Sequence, residues 1–179
     1  MRREGRFLGD PPILTSTTPD IGSVFLDRMW EVGNSGSPWE QGLEGSYLAL
    51  TPPMSETINR GFLRPGAPLV LIFLGDEDDQ SVRPISFYVD FFRALKPEAQ
   101  LRVNTVVSPP GHCVGPLGNA ADGARFREFA GFFSTLETDI CSADYAQAMS
   151  DFGQVVGSQS YTLADDAAAG SLRVWVDGS

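Results

Sequence analysis

Hydrophobic and polar positions alternate along this chain in two distinct rhythms. Pro68 to Leu74, PLVLIFL, carries no charge, and such a continuous apolar run predicts a parallel strand over Leu69 to Leu74 buried on both faces. The stretch LRVNTVV predicts a second strand, alternating at Leu101, Val103 and Thr105 before the pair Val106 and Val107. FSTLE at 133–137 reads as a third, short strand. Between them the period changes to that of a helix. Ile85, Val89, Phe92 and Leu95 form one stripe with Tyr88 beside it, and ARFREFAGFF predicts a helix before the third strand. Upstream, Asp20 is a candidate N-cap for IGSVFLDRMWEV, where Val24 or Phe25, Met29 and Val32 recur at helical spacing.

Leu43, Tyr47 and Leu50 share one face of a further helix, which Pro52 and Pro53 end. SADYAQAMSDFGQVV predicts a last helix through Tyr145, Met149, Phe152 and Val156, and GSLRVWVDGS a final strand outside the main sheet. PILTSTTPD offers one short edge strand at Ile13 to Thr15, and PPGHCVGPLGNAADG reads as a long loop. Helix and strand alternate, which implies an α/β class with an open, mostly parallel sheet and ligands at the C-terminal ends of its strands. Trp30, Trp39 and the Phe-rich helices are assigned to the core, and His112 to a loop.

Composition narrows the partners. With 179 residues the chain suits one domain with a substantial core, and its 42% hydrophobic content is that of a folded protein. A net charge of −10 excludes nucleic acid as the expected partner and favours cations. No run approaches the roughly 20 apolar residues of a membrane span. No apolar segment follows the basic start MRREGRF, so no signal peptide is read there. Cys113 and Cys141 form no CxxC pair and, with one histidine, make a thin zinc set; composition leaves two free thiols and one disulfide both open.

The candidate chemistry lies directly behind the first strand, where Asp76, Glu77, Asp78 and Asp79 follow one another. Asp76 and Asp78 fit the start of the D-x-D-x-T/V pattern of haloacid-dehalogenase-type phosphatases, as nucleophile and general acid, but Gln80 stands where Thr or Val belongs and no phosphate-binding lysine is evident. A calcium loop counted from Asp76 would need Gly at its sixth position and Glu at its twelfth, where Ser81 and Phe87 stand. The plain structural alternative is a solvated loop in which Asp79 or Ser81 caps the next helix.

A third chemistry comes with a resemblance. FLRPGAPLVLIFLGDEDDQS resembles the fourth strand of von Willebrand factor A domains, where an apolar strand ends in an Asp followed by acidic residues. GSPWEQGLEGSYLAL looks like the preceding loop and helix, and FYVDFFRALKP, VVSPPGHC and ICSADYAQAM are similar to later elements of a bacterial, myxobacterial-type subgroup rich in lipoproteins. The resemblance covers residues 5 to 165; residues 161–179 resemble the start of the β extension or linker that follows a domain at 1–160. It implies a three-layer, Rossmann-like α/β fold and a non-catalytic adhesion or protein-binding module at the cell surface or in the periplasm. A Mg²⁺ or similar cation at the C-terminal edge of the sheet, the metal-ion-dependent adhesion site, would bridge to an acidic group of a protein partner.

In that family three loops hold the cation: D-x-S-x-S after the first strand, a hydroxyl from the second loop, and an Asp after the fourth strand. Asp76 matches the third loop, and Ser37 or Ser35 the second, although both serines also suit a turn beside Gly36 and Pro38. No D-x-S-x-S motif follows an apolar strand here, and GNSGS carries Gly33 where the Asp belongs. The expectation is a domain lacking the family's first strand, first helix and second strand, through an upstream start, a partner that supplies them, or decay to a metal-free remnant. It leaves Leu69–Leu74 as an exposed apolar edge. In this fold the strands before Cys113 and Cys141 are parallel neighbours, which brings both thiols to one end of the sheet and implies a disulfide, with free buried thiols as the alternative.

Overall fold

The computed structural model describes residues 5–32, 39–116 and 118–142, together with residues 147 and 150. Among the described residues four helices with defined bounds, α1 (Ile21–Val32), α2 (Gly42–Ala49), α3 (Ile85–Leu95) and α4 (Ala124–Ala130), accompany five strands. Strands β1 (Leu69–Leu74), β2 (Leu101–Val107) and β5 (Glu137–Asp139) form a parallel sheet in the order β1-β2-β5. Strands β3 (Cys113–Gly115) and β4 (Gly118–Ala120) form an antiparallel hairpin. The class is mixed α/β, with a three-stranded parallel sheet.

Topology sets the layering. The chain passes from β1 through α3 to β2, and from β2 through α4 to β5, always stepping the same way across the sheet. Right-handed crossovers that step in one direction place their helices on one face. Leu69, Phe73, Leu101, Val103 and Val107 point to that face and share a core with Leu43, Tyr88, Phe92, Phe126 and Phe129. Phe73 stacks against Phe126 and meets Phe129 edge-on, with ring centroids 5.2 and 5.8 Å apart. Among the described residues α2, α3 and α4 therefore give two layers with the sheet, where three were expected.

The apolar rhythm locates β1, β2, α2, α3 and α4, but it overstates burial. β1 pairs only with β2 among the described residues, so Ile72 and Leu74 are 51% and 56% exposed instead of enclosed. The expected exposed edge is present. α1 forms where its spacing places it, yet buries no residue, and Trp30 is 83% exposed; Trp39 is exposed too, so neither tryptophan is core. The carbonyl of Asp20, at φ 46°, accepts the first helical bond from Val24 at 3.1 Å.

Three further expectations change. The loop after β2 contains the β3–β4 hairpin, whose three-residue strands are too short for a periodic signal. The third strand of the sheet lies at Glu137–Asp139, not at 133–137. Asn104 Oδ1 accepts the Leu136 amide at 3.1 Å, so a side chain takes the place of a ladder bond and delays regular pairing. At Ile13–Thr15 hydroxyls compete with strand pairing, as the Thr15 amide donates to Thr18 Oγ1 at 2.9 Å and the segment turns. Most of the last predicted helix and the final strand lie outside the described residues.

Candidate functional site at the C-terminal edge of the sheet

The acidic run begins where β1 ends. The Gly75 amide makes the last bond to β2, donating to the Val106 carbonyl at 3.2 Å, and the four carboxylates then divide into an inner and an outer pair.

The inner pair is consumed by structure. Gln41, at the N-cap of α2, makes no side-chain capping bond, which leaves the amides of the first turn without local acceptors. Asp79 and Ser81 supply them from across the chain: Asp79 Oδ1 accepts the Leu43 amide at 3.1 Å, and Ser81 Oγ accepts the Glu44 amide at 2.8 Å. The expected capping by Asp79 and Ser81 thus exists, but it serves the preceding helix α2 and not α3. A carboxylate at that end also faces the positive pole of the helix.

Asp79 has no exposed side-chain surface, and Arg125 of α4 neutralises it through Nε at 2.9 Å. The same guanidinium donates to the carbonyls of Ser81 and Arg83 at 3.1 and 2.6 Å. Asp78 Oδ1 accepts the amides of Asp79 and Arg125, both at 2.9 Å. These bonds use Asp78 as a backbone acceptor, which competes with the proton donation that a phosphatase general acid performs.

The outer pair stays free of such ties. Asp76 and Glu77 are exposed on an open cleft of about 460 Å³, whose far wall is the hairpin with Val114 and Asn119, and His112. Only the backbone of Asp76 is anchored, its carbonyl accepting the Ala121 amide at 2.8 Å. Glu40 stands beside them, its backbone carbonyl accepting the Gln80 amide at 2.6 Å. Burial, followed by the charges of Asp76, Glu77 and Asp79, pushes the Glu40 carboxyl above its ordinary range. Negative charge is thus concentrated here against its own repulsion. Glu40 and Arg125 were not singled out by sequence, and His112 was read only as a loop residue; Arg125 lies 46 residues from Asp79, and no local pattern links them.

Ser35 and Ser37 lie outside the described residues. Cys113 and Cys141 form a disulfide with Cα atoms 6.1 Å apart. Among the described residues the one three-member group of close potential ligands is Cys113, Asp139 and Cys141. Its two sulfurs are bonded to each other, and Asp139 Oδ1 accepts the Cys141 amide at 2.8 Å, so the group is a covalent staple and not a metal centre. The staple seats the hairpin closely: a Cβ at Gly115 would collide with the Cys141 carbonyl.

A second charged group braces α2 against the loop before α3. Glu44 accepts from the Arg83 guanidinium and, at 2.7 Å, from the Tyr88 hydroxyl. Burial pushes the Glu44 carboxyl up, but the bonds from Arg83 and Tyr88 outweigh it and hold it below the ordinary 4.5. A depressed folded-state value stabilises fully above the unfolded value and is lost as pH falls through the folded one. Wild type is therefore expected to melt above Glu44→Gln at neutral pH, with the gap closing below pH 4.5 in thermal scans. A gap that widens on acidification would contradict the assignment.

No protein-family model, curated protein or solved structure matches this chain.

Proposed function

We propose that this chain is a non-catalytic binding module of von Willebrand A type, working through a divalent cation at the C-terminal edge of its sheet. The observation that carries the reading is the division of the acidic run: Asp78 and Asp79 are tied into the fold, whereas Asp76 and Glu77 face an open cleft beside Glu40, whose carboxyl burial and these neighbouring charges push up. The proposed donors are all oxygens, the chemistry that suits Mg²⁺ or Ca²⁺ and not a soft metal. Asp76 would hold the cation, with Glu40 and Glu77 contributing charge and Ser35 or Ser37 a hydroxyl. The bound cation would offer a coordination position to an acidic group of a protein partner.

The disulfide supports an oxidising compartment such as the cell surface or periplasm. Among the described residues no helix is long and apolar enough to cross a membrane. Calorimetric titration of EDTA-stripped protein with Mg²⁺ or Ca²⁺ tests the reading. Saturable binding is expected for wild type and is lost in Asp76→Ala, with both proteins equally folded. No binding by wild type would leave a metal-free structural domain and sink the proposal.

A further inference from the structure

We propose that β1 is a self-association edge, on which a second copy of this chain adds its own β1 antiparallel, joining two three-stranded sheets across a two-fold axis at Ile72. The Gly75 amide points to β2, and backbone groups alternate sides along a strand. The N–H and C=O groups of Val70, Ile72 and Leu74 therefore face away from β2, where no strand pairs with them among the described residues.

Register follows from parity. With the axis at Ile72, Ile72 meets its own copy and Val70 meets Leu74 of the other chain, so every outward-facing residue opposes another. Each such pair exchanges two backbone bonds. The strand from Leu69 to Leu74 carries no charged residue to block this pairing. Its exposed Ile72 and Leu74 side chains lie on one face, where Ile72 would pack beside its own copy and Leu74 beside Val70 of the other chain.

Charge selects both the occupant and the direction. Exposed Asp76 and Glu77 follow the strand, and exposed Arg60 and Arg64 precede it. The buried Lys96 fixes the Arg64 turn by donating to the carbonyls of Arg64 and Pro65. Antiparallel pairing sets the acidic end of each copy beside the basic end of the other. It also separates the two Asp76 residues by roughly 26 Å along the strands, well beyond a screening length. Parallel pairing would place the acidic loops side by side. A small cleft of about 180 Å³, lined by Phe62, Leu63 and Val70 among others, borders the point where the second copy's Leu74 arrives. The contact is small, so association is expected in the micromolar range.

Sedimentation of the full chain over a concentration series tests this. Wild type should move from one chain mass of 19.4 kDa toward twice that mass and stop there. Ile72→Lys places two like charges face to face at the axis and should weaken the dimer by more than about tenfold. Val82→Lys, at a site 78% exposed and off the edge, should dimerise as wild type does. Ile72 is already half exposed, so the substitution leaves the fold intact, which the unfolding midpoint verifies. A wild type that stays monomeric throughout, open-ended growth beyond two chains, or a dimer indifferent to Ile72→Lys would each overturn the proposal.

Discussion

Asp79→Ala is expected to destabilise the domain by about 3 kcal/mol or more, the largest effect of any carboxylate in the acidic run. The change removes a fully buried anion and strands its partners together: the Arg125 guanidinium, the Leu43 amide at the start of α2, and the Ser81 amide and hydroxyl. Breaking one member of a buried ion pair is costly chiefly because the other is left desolvated and unpaired. Three elements meet at this carboxylate, so the loss loosens α2, α4 and the loop before α3 at once. Asp79→Asn should recover only part of the loss, since an amide keeps one acceptor oxygen of the two, turns an NH2 donor toward the donors that the other oxygen served, and carries no charge for Arg125. Denaturant unfolding measures it; a midpoint within experimental error of wild type would show that Arg125 and α2 find other partners.

Opening the Cys113–Cys141 disulfide is expected to cost about 3 kcal/mol, whether by a dithiol reductant or by the paired substitution Cys113→Ser with Cys141→Ser. The bridge spans 28 residues and closes the segment that contains the hairpin, α4 and β5. Its benefit comes from the unfolded chain, which loses the freedom of that loop. It has a local consequence as well: Val114 and Asn119 of the hairpin line the cleft opposite Asp76, so the reduced protein should bind the cation more weakly. Comparing oxidised and reduced protein by denaturant titration checks the stability term. Equal midpoints would mean that the loop is equally constrained without the bridge.

The parts of this fold that sequence reveals are those with a long apolar period. Leu69–Leu74 and Leu101–Val107 are uninterrupted enough to locate β1 and β2, and the Ile85, Val89, Phe92 stripe locates α3. β3 and β4 have three residues each and contain Gly115 and Gly118, so neither period is sampled. The helix at Ile21–Val32 is legible as a helix, while its exposure is not, because periodicity states which residues share a face and not what covers it.

The acidic run is the clearest case of partial legibility. Its position behind β1 was readable, and so was a capping role for Asp79 or Ser81. The helix they cap precedes them by some 36 residues, and the cation that neutralises Asp79 follows by 46. Such contacts are set by the crossovers of the sheet and leave no local trace.

One run of carboxylates divides in two: Asp79 is tied into the fold, and Asp76 faces an open cleft, where the proposed cation would bind. Thermal unfolding of wild type, Asp76→Asn and Asp79→Asn, each in EDTA and in millimolar Mg²⁺, separates them. Asp79→Asn should melt lower than wild type in EDTA. Asp76→Asn should melt no lower in EDTA, because it relieves the repulsion that adds to burial in raising Glu40, and it should lack the Mg²⁺-dependent rise expected of wild type. If Asp76→Asn instead destabilised the apo protein while keeping the Mg²⁺ response, the division of roles would be contradicted.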